Sequence, residues 1–136
     1  MAGTFSLQIV SPEGNVLKED VEFVVLPGGA GELGILPNHS ALIAGLDIGV
    51  IRYTLNGDVK RAAIAGGFVE VIDNAATVLA DTVELGEAID LARAVEAKER
   101  ALKRLSSPRI NEIDLRRAEY ALRRATARIS AASDNK

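Results

Sequence analysis

The chain has 136 residues, 48% of them hydrophobic and 26% charged, with a net charge of −3, a single histidine and no cysteine. That length can bury about two thirds of its unfolded surface in a core. The lack of cysteine excludes disulfides and thiolate metal sites, no apolar run approaches the ~20 residues of a membrane-spanning helix, and the acidic balance argues against nucleic acid as a target of the whole chain.

Composition changes abruptly near residue 86. All twelve glycines lie at or before Gly86, and nine of the eleven arginines lie after it. Residues 1–87 carry four Lys/Arg against twelve Asp/Glu, a net of −8, whereas residues 88–136 carry twelve against seven, a net of +5. Two units with different physics are expected: 1–86, punctuated by glycine, and 87–136, rich in alanine and arginine. The N-terminal Met1-Ala-Gly-Thr has no basic, apolar leader pattern. Membrane association is therefore expected only through a partner.

The first half reads as short strands. Phe5, Leu7 and Ile9 alternate with Ser6, Gln8 and Val10, the period of a half-buried strand. Ser11-Pro12-Glu13-Gly14-Asn15 predicts a turn. A β-rich run over Val21–Leu26 stops at Pro27-Gly28-Gly29. Glu32 and His39 bracket an apolar stretch broken by Gly34 and Pro37, which predicts an exposed, shaped loop. Asn56-Gly57 between Val50–Leu55 and Val59–Ile64 is a strong hairpin signal. Asp73-Asn74 between Phe68–Ile72 and Ala75–Leu79 suggests a second. Such a series of short strands fits an antiparallel sandwich or barrel, and the pattern does not choose between them.

The second half changes period. Leu91, Val95, Leu102 and Leu105 share one helical face, and Leu115, Ala118, Leu122, Ala125 and Ile129 another. Pro108 cannot continue the first helix, and Asn111 followed by Asp114 resembles an N-cap with an acidic first turn. The reading is two helices of about 18 residues in an antiparallel hairpin. Its seam is expected to be largely alanine: Ala94, Ala97 and Ala101 against Ala118, Ala121 and Ala125. Leucines would add ~1.5–3 kcal/mol each only where fully buried. A two-helix unit held this way is a candidate for a mobile element.

Arginines recur at steps of seven and four: Arg93, Arg100 and Arg104, then Arg117, Arg124 and Arg128. Such spacing keeps side chains on one face, where they either converge on an anion or form a solvated surface with local pairs such as Glu96–Arg100. His39 has no second histidine or cysteine for a metal site and no nucleophile for a triad. Gly28-Gly29-Ala30-Gly31 lacks the Gly-Lys-Ser/Thr of a phosphate-binding loop. No catalytic centre is visible, so an enzyme is not expected.

Glu32-Leu33-Gly34-Ile35-Leu36-Pro37-Asn38-His39 and Ala65-Gly66-Gly67-Phe68-Val69-Glu70-Val71 resemble the epsilon subunit of bacterial F-type ATP synthase, and the resemblance covers essentially the whole chain. It implies an α+β fold, an N-terminal antiparallel β-sandwich (1–86) followed by a C-terminal two-helix antiparallel hairpin (87–136). It further implies a non-catalytic rotor subunit that docks on the gamma subunit and on the membrane rotor ring, with Glu32 and His39 facing the ring. The complex would sit peripherally on the cytoplasmic side of the bacterial plasma membrane. The hairpin would either lie on the sandwich or extend toward the catalytic alpha and beta subunits and block hydrolysis. Its positive charge suits acidic segments there.

Ile89-Asp90-Leu91-Ala92-Arg93-Ala94 also resembles the family's I/L-D-x-x-R-A motif, which in some bacterial members binds ATP. Carried over, the resemblance implies ATP as a regulatory ligand at Glu84, Ile89, Asp90, Arg93, Ala94, Arg100, Arg124 and Arg128, with no metal expected from the sequence. Arg100, Arg124 and Arg128 suit phosphate oxygens. Two other function classes fit the residues: a stand-alone nucleotide-binding module and a basic adaptor that grips an acidic protein.

Overall fold

The computed structural model describes residues 3–132, so the outermost residues of both expected units lie outside the described part. Eight strands come first: β1 (Phe5–Ser11), β2 (Gly14–Val21), β3 (Phe23–Gly28), β4 (Gly31–Ile35), β5 (Leu42–Leu55), β6 (Asp58–Ile72), β7 (Ala75–Ala80) and β8 (Val83–Leu85). A 3-10 turn at Gly86–Ala88 leads into α1 (Leu91–Leu105) and α2 (Glu112–Ala132).

The strands form a β-sandwich in the order β2-β1-β7-β6-β5-β3-β4, with β8 also on β6. The long pair β5–β6 keeps one antiparallel register from Leu42↔Val71 to Leu55↔Asp58 and passes through both layers. Its bend is at Gly66 and Gly67, whose φ values of 89° and 138° few side chains tolerate. On one side of the bend β6 carries β7; on the other it carries β8. The sheet thus folds over itself, and the inward faces meet in one core around Leu7, Ile9, Leu26, Ile35, Ile51 and Val69. The pairing of β1 with β7 is parallel. Parallel neighbours need a long crossover, and five strands intervene between these two.

Several local expectations change. Gly14 and Asn15, read as the end of a turn, already belong to strand β2, which pairs along β1. The single run Val21–Leu26 is split at Glu22, with Val21 ending β2 and Phe23 opening β3. Glu32 is not in a loop: β4 pairs Glu32 with Pro27 of β3, and the loop begins only at Leu36. The runs 59–64 and 68–72 are one strand, because the glycine pair bends the chain without ending its ladder. Both predicted hairpins, at Asn56-Gly57 and Asp73-Asn74, are present, and Asn56, Asp73 and Asn74 take the positive φ that such turns demand.

The helices have 15 and 21 residues rather than about 18 each. Asp90 caps α1 by accepting from the Arg93 N–H at 3.2 Å. Asn111 caps α2, its Oδ1 accepting from the Asp114 N–H at 2.8 Å, while its Nδ2 donates to the Asp114 carboxylate at 3.0 Å. The buried residues of α1 are Ala94 and Ala101, and those of α2 are Ala118, Ala125, Ala127 and Ala131. Ala125 and Ala127 point about 200° apart around the axis. Ala127 and Ala131 pack on Ala63 of β6, so Ala118 and Ala125 are left for α1. α2 is therefore a middle layer between sandwich and α1. Of the predicted seam alanines, Ala94, Ala101, Ala118 and Ala125 are buried while Ala97 and Ala121 are part-buried, and Leu91, Val95 and Leu102 stay 45%, 38% and 47% exposed on the outer helix.

Candidate functional site

Two regions carry the residues that the sequence singles out. The first is the junction between α2 and the sandwich. Arg128 is one turn before the end of α2, and its Nε donates to Glu84 of β8 at 2.7 Å. Thr82, Ala63–Ala65, Arg124 and Arg128 line a cleft of about 10 Å³ beside this pair, room for about one water. The Arg124 guanidinium lies 5.8 Å from the centre of the Tyr120 ring, within cation–π range. The structure thus gathers Glu84, Arg124 and Arg128.

Of the rest of the set, Ile89, Asp90 and Ala94 have structural work. Ile89 packs with Ala63, Ala127 and Ala131. Asp90 holds the α1 N-terminus. Ala94 is fully buried. Arg93 and Arg100 are exposed along α1, and no ion pair among the described residues uses either. In this conformation the cleft is small and is lined by Arg128, whose charge is answered by Glu84.

Sequence reasoning missed a second clasp. Arg123 of α2 donates to Asp47 of β5 at 2.7 Å. Asp47 also accepts from the Ile48 N–H at 2.8 Å. That backbone bond, followed by the Arg123 contact, holds the Asp47 carboxyl below the usual aspartate range. No spacing signal links residues 76 positions apart, and the arginine stripe had drawn attention to Arg124 instead. The cap role of Asp90 was legible, since aspartate directly precedes the periodic segment.

The second region is β4 and the loop that follows it. Glu32 on β4 receives a forked contact from Arg52 of β5, at 3.0 and 3.3 Å. This hydrogen-bonded pairing lowers the Glu32 carboxyl below its ordinary value. His39 is half-buried, and its Nδ1–H donates to the Ser40 carbonyl at 2.7 Å. Asn38 has φ 64°, and its N–H donates to Asn74 Oδ1 at 2.7 Å, tying the loop to the β6–β7 turn. Glu32 and His39 share no hydrogen bond among the described residues. Among those residues, no group of three or more His, Asp or Glu is placed to hold a metal ion, and no helix is long and apolar enough to cross a membrane.

A β-sandwich bearing a clasped helical hairpin defines a two-part class of protein in which the helices attach to the sandwich through α2. Two adjoining family profiles match the chain: ATP synthase, Delta/Epsilon chain, beta-sandwich domain over residues 4–86, and ATP synthase, Delta/Epsilon chain, long alpha-helix domain over residues 87–133. The chain is 67% identical over 132 residues to the ATP synthase epsilon chain of Desulfitobacterium hafniense, covering 97% of this chain and 98% of the relative. It is 54% identical to the ATP synthase epsilon chain of Syntrophomonas wolfei, over 94% and 93% of the two chains. Its fold matches a chain of the Euglena gracilis mitochondrial ATP synthase with TM-score 0.82 at 24% identity, over 97% of this chain and 82% of that one. The chain belongs to the ATP synthase delta/epsilon family. It is a non-catalytic regulatory subunit of that complex.

Proposed function

We propose that this subunit couples the rotor to the membrane ring and restrains ATP hydrolysis through its C-terminal helices, with ATP bound to the folded hairpin as the signal. The sandwich docks on the gamma subunit, and β4 with its following loop, bearing Glu32 and His39, faces the ring. The released hairpin reaches the catalytic alpha and beta subunits. The complex works on the cytoplasmic side of a bacterial plasma membrane.

The observation that carries this reading is the way α2 is held. Its contact with the sandwich rests on Ala63, Ala127 and Ala131 with three part-buried neighbours, plus two partly exposed ion pairs. Exposed pairs are worth about 0–1 kcal/mol each, and alanines bury little area. The outer helix also leaves Leu91, Val95 and Leu102 partly exposed, apolar surface that a different partner can cover.

ATP acts on this small cleft by exchange. Its phosphates replace the Glu84 carboxylate as the partner of Arg128 and recruit Arg124, while Asp90, Arg93 and the surface around Ile89 and Ala94 hold the base. Arg100 adds a further cation. Ala94 and the Arg128–Glu84 pair must both yield for the nucleotide to enter. Ligand at a hundred times its dissociation constant stabilises the bound state by about 2.7 kcal/mol, enough to bias a weakly held element. Calorimetric titration of the full chain with ATP tests this. The expected result is saturable heat that Arg93→Ala and Arg128→Gln both weaken. No heat at millimolar ATP would remove the sensing role and leave the family membership intact.

A further inference from the structure

The hairpin elbow carries a second cluster of cations, far along the helices from Glu84. Arg104 in the last turn of α1, Ser107, Arg109 and Ile110 of the connecting loop, and Asp114 and Arg117 in the first turns of α2 line one open surface cleft of about 380 Å³. This falls in the size range of small-ligand pockets. Its lining has three guanidinium groups against one carboxylate. The carboxylate of Asp114 is already engaged by Asn111 Nδ2 at 3.0 Å. Arg52, Arg116, Arg123 and Arg128 each form an ion pair, whereas Arg104, Arg109 and Arg117 form none among the described residues.

Three like charges line the same cleft, so the site carries an excess of positive charge that suits an anion. Each guanidinium offers a planar fork of N–H donors matched to phosphate oxygens, and the Ser107 hydroxyl supplies a further donor. The cations come from α1, the loop and α2 in turn. An anion held by all three joins the ends of both helices and favours the closed hairpin.

We propose that the elbow is a binding site for a compact, multiply charged phosphate anion, held by Arg104, Arg109 and Arg117. It is separate from the Glu84–Arg128 junction and does not depend on nucleotide binding there. The chemistry recognised is the phosphate group, whether of free phosphate and pyrophosphate or of a nucleotide tail.

The test is amide NMR of the full chain titrated with sodium phosphate, pyrophosphate, ATP and adenosine, each at ionic strength matched with potassium chloride. The expected result is saturable shifts over residues 104–117 with pyrophosphate, weaker ones with phosphate and none with adenosine. Arg109→Gln sits on an exposed loop, so its circular dichroism should match the parent while pyrophosphate binds about tenfold more weakly, the loss of one charge-assisted contact. Arg93→Ala should leave the pyrophosphate response intact, which separates this site from the ATP reading. The proposal is overturned if pyrophosphate gives no saturable shift, if chloride reproduces it, or if the elbow responds only to ATP and loses that response in Arg93→Ala.

Discussion

At the scale of single residues, the helices are anchored by a few polar groups with defined tasks. Asp47 joins the sandwich to α2 through Arg123. Its folded value is depressed, first by the Ile48 N–H and then by Arg123. A depressed carboxylate contributes stability that is fully present above its unfolded value of about 3.9 and is lost as pH falls through the lower folded value. The protection of α2 amides relative to their intrinsic exchange rates should therefore fall on acidification below about pH 4, and Asp47→Asn should remove its share of that acid dependence. Neutral-pH protection in the variant should fall slightly. An α2 whose acid response is identical in both proteins would exclude Asp47 from the clasp. Asn111 acts locally, bonding both to the Asp114 N–H and to its carboxylate. Asn111→Ala should cost about 1 kcal/mol in helical stability, read from urea unfolding followed in the far ultraviolet.

At the scale of elements, sandwich and hairpin differ in what they bury. The sandwich core holds fully buried Leu, Ile and Val, each worth about 1.5–3 kcal/mol. The hairpin seam buries alanines, which bring the helices close and leave no room for growth. Ala101 is 2% exposed and Leu102, its neighbour, is 47% exposed. Ala101→Leu should destabilise the hairpin by about 1–3 kcal/mol through overpacking, whereas Leu102→Gln should stay within about 0.5 kcal/mol. The same urea experiment checks both. The reverse order would mean that the leucine face, not the alanine face, forms the seam.

At the scale of the whole molecule, one glycine governs how the two parts meet. A Cβ on Gly86 would run into the Ala131 carbonyl oxygen and approach that of Arg61 at 3.0 Å. Backbone lies on both sides, so there is no flexible side chain to yield. Gly86→Ala should lift the last turn of α2 from β6 and raise its amide exchange by about tenfold or more, while exchange in the β5–β6 core stays unchanged. Loss of protection throughout the protein would instead make Gly86 a residue of the sandwich core. On the proposed function, the same variant in the intact complex should favour the released hairpin and so show lower ATP hydrolysis than the parent.

Much of this architecture is legible in the chain itself. Alternation placed β1, Asn56-Gly57 and Asp73-Asn74 placed two hairpins, and the 3-4 spacing with Pro108 and Asn111 placed both helices, because turn chemistry, capping and periodicity act over a few residues. Strand β2 was hidden because much of its length is exposed and shows no alternation, and β4 because Gly34 breaks its apolar run. The approach of Arg123 to Asp47, the pairing of Arg128 with Glu84, and the placement of α2 between sandwich and α1 depend on contacts between residues tens of positions apart. No local pattern encodes them. The types of the elements follow from short-range stereochemistry, while their partners follow from which surfaces fit once the whole chain has packed.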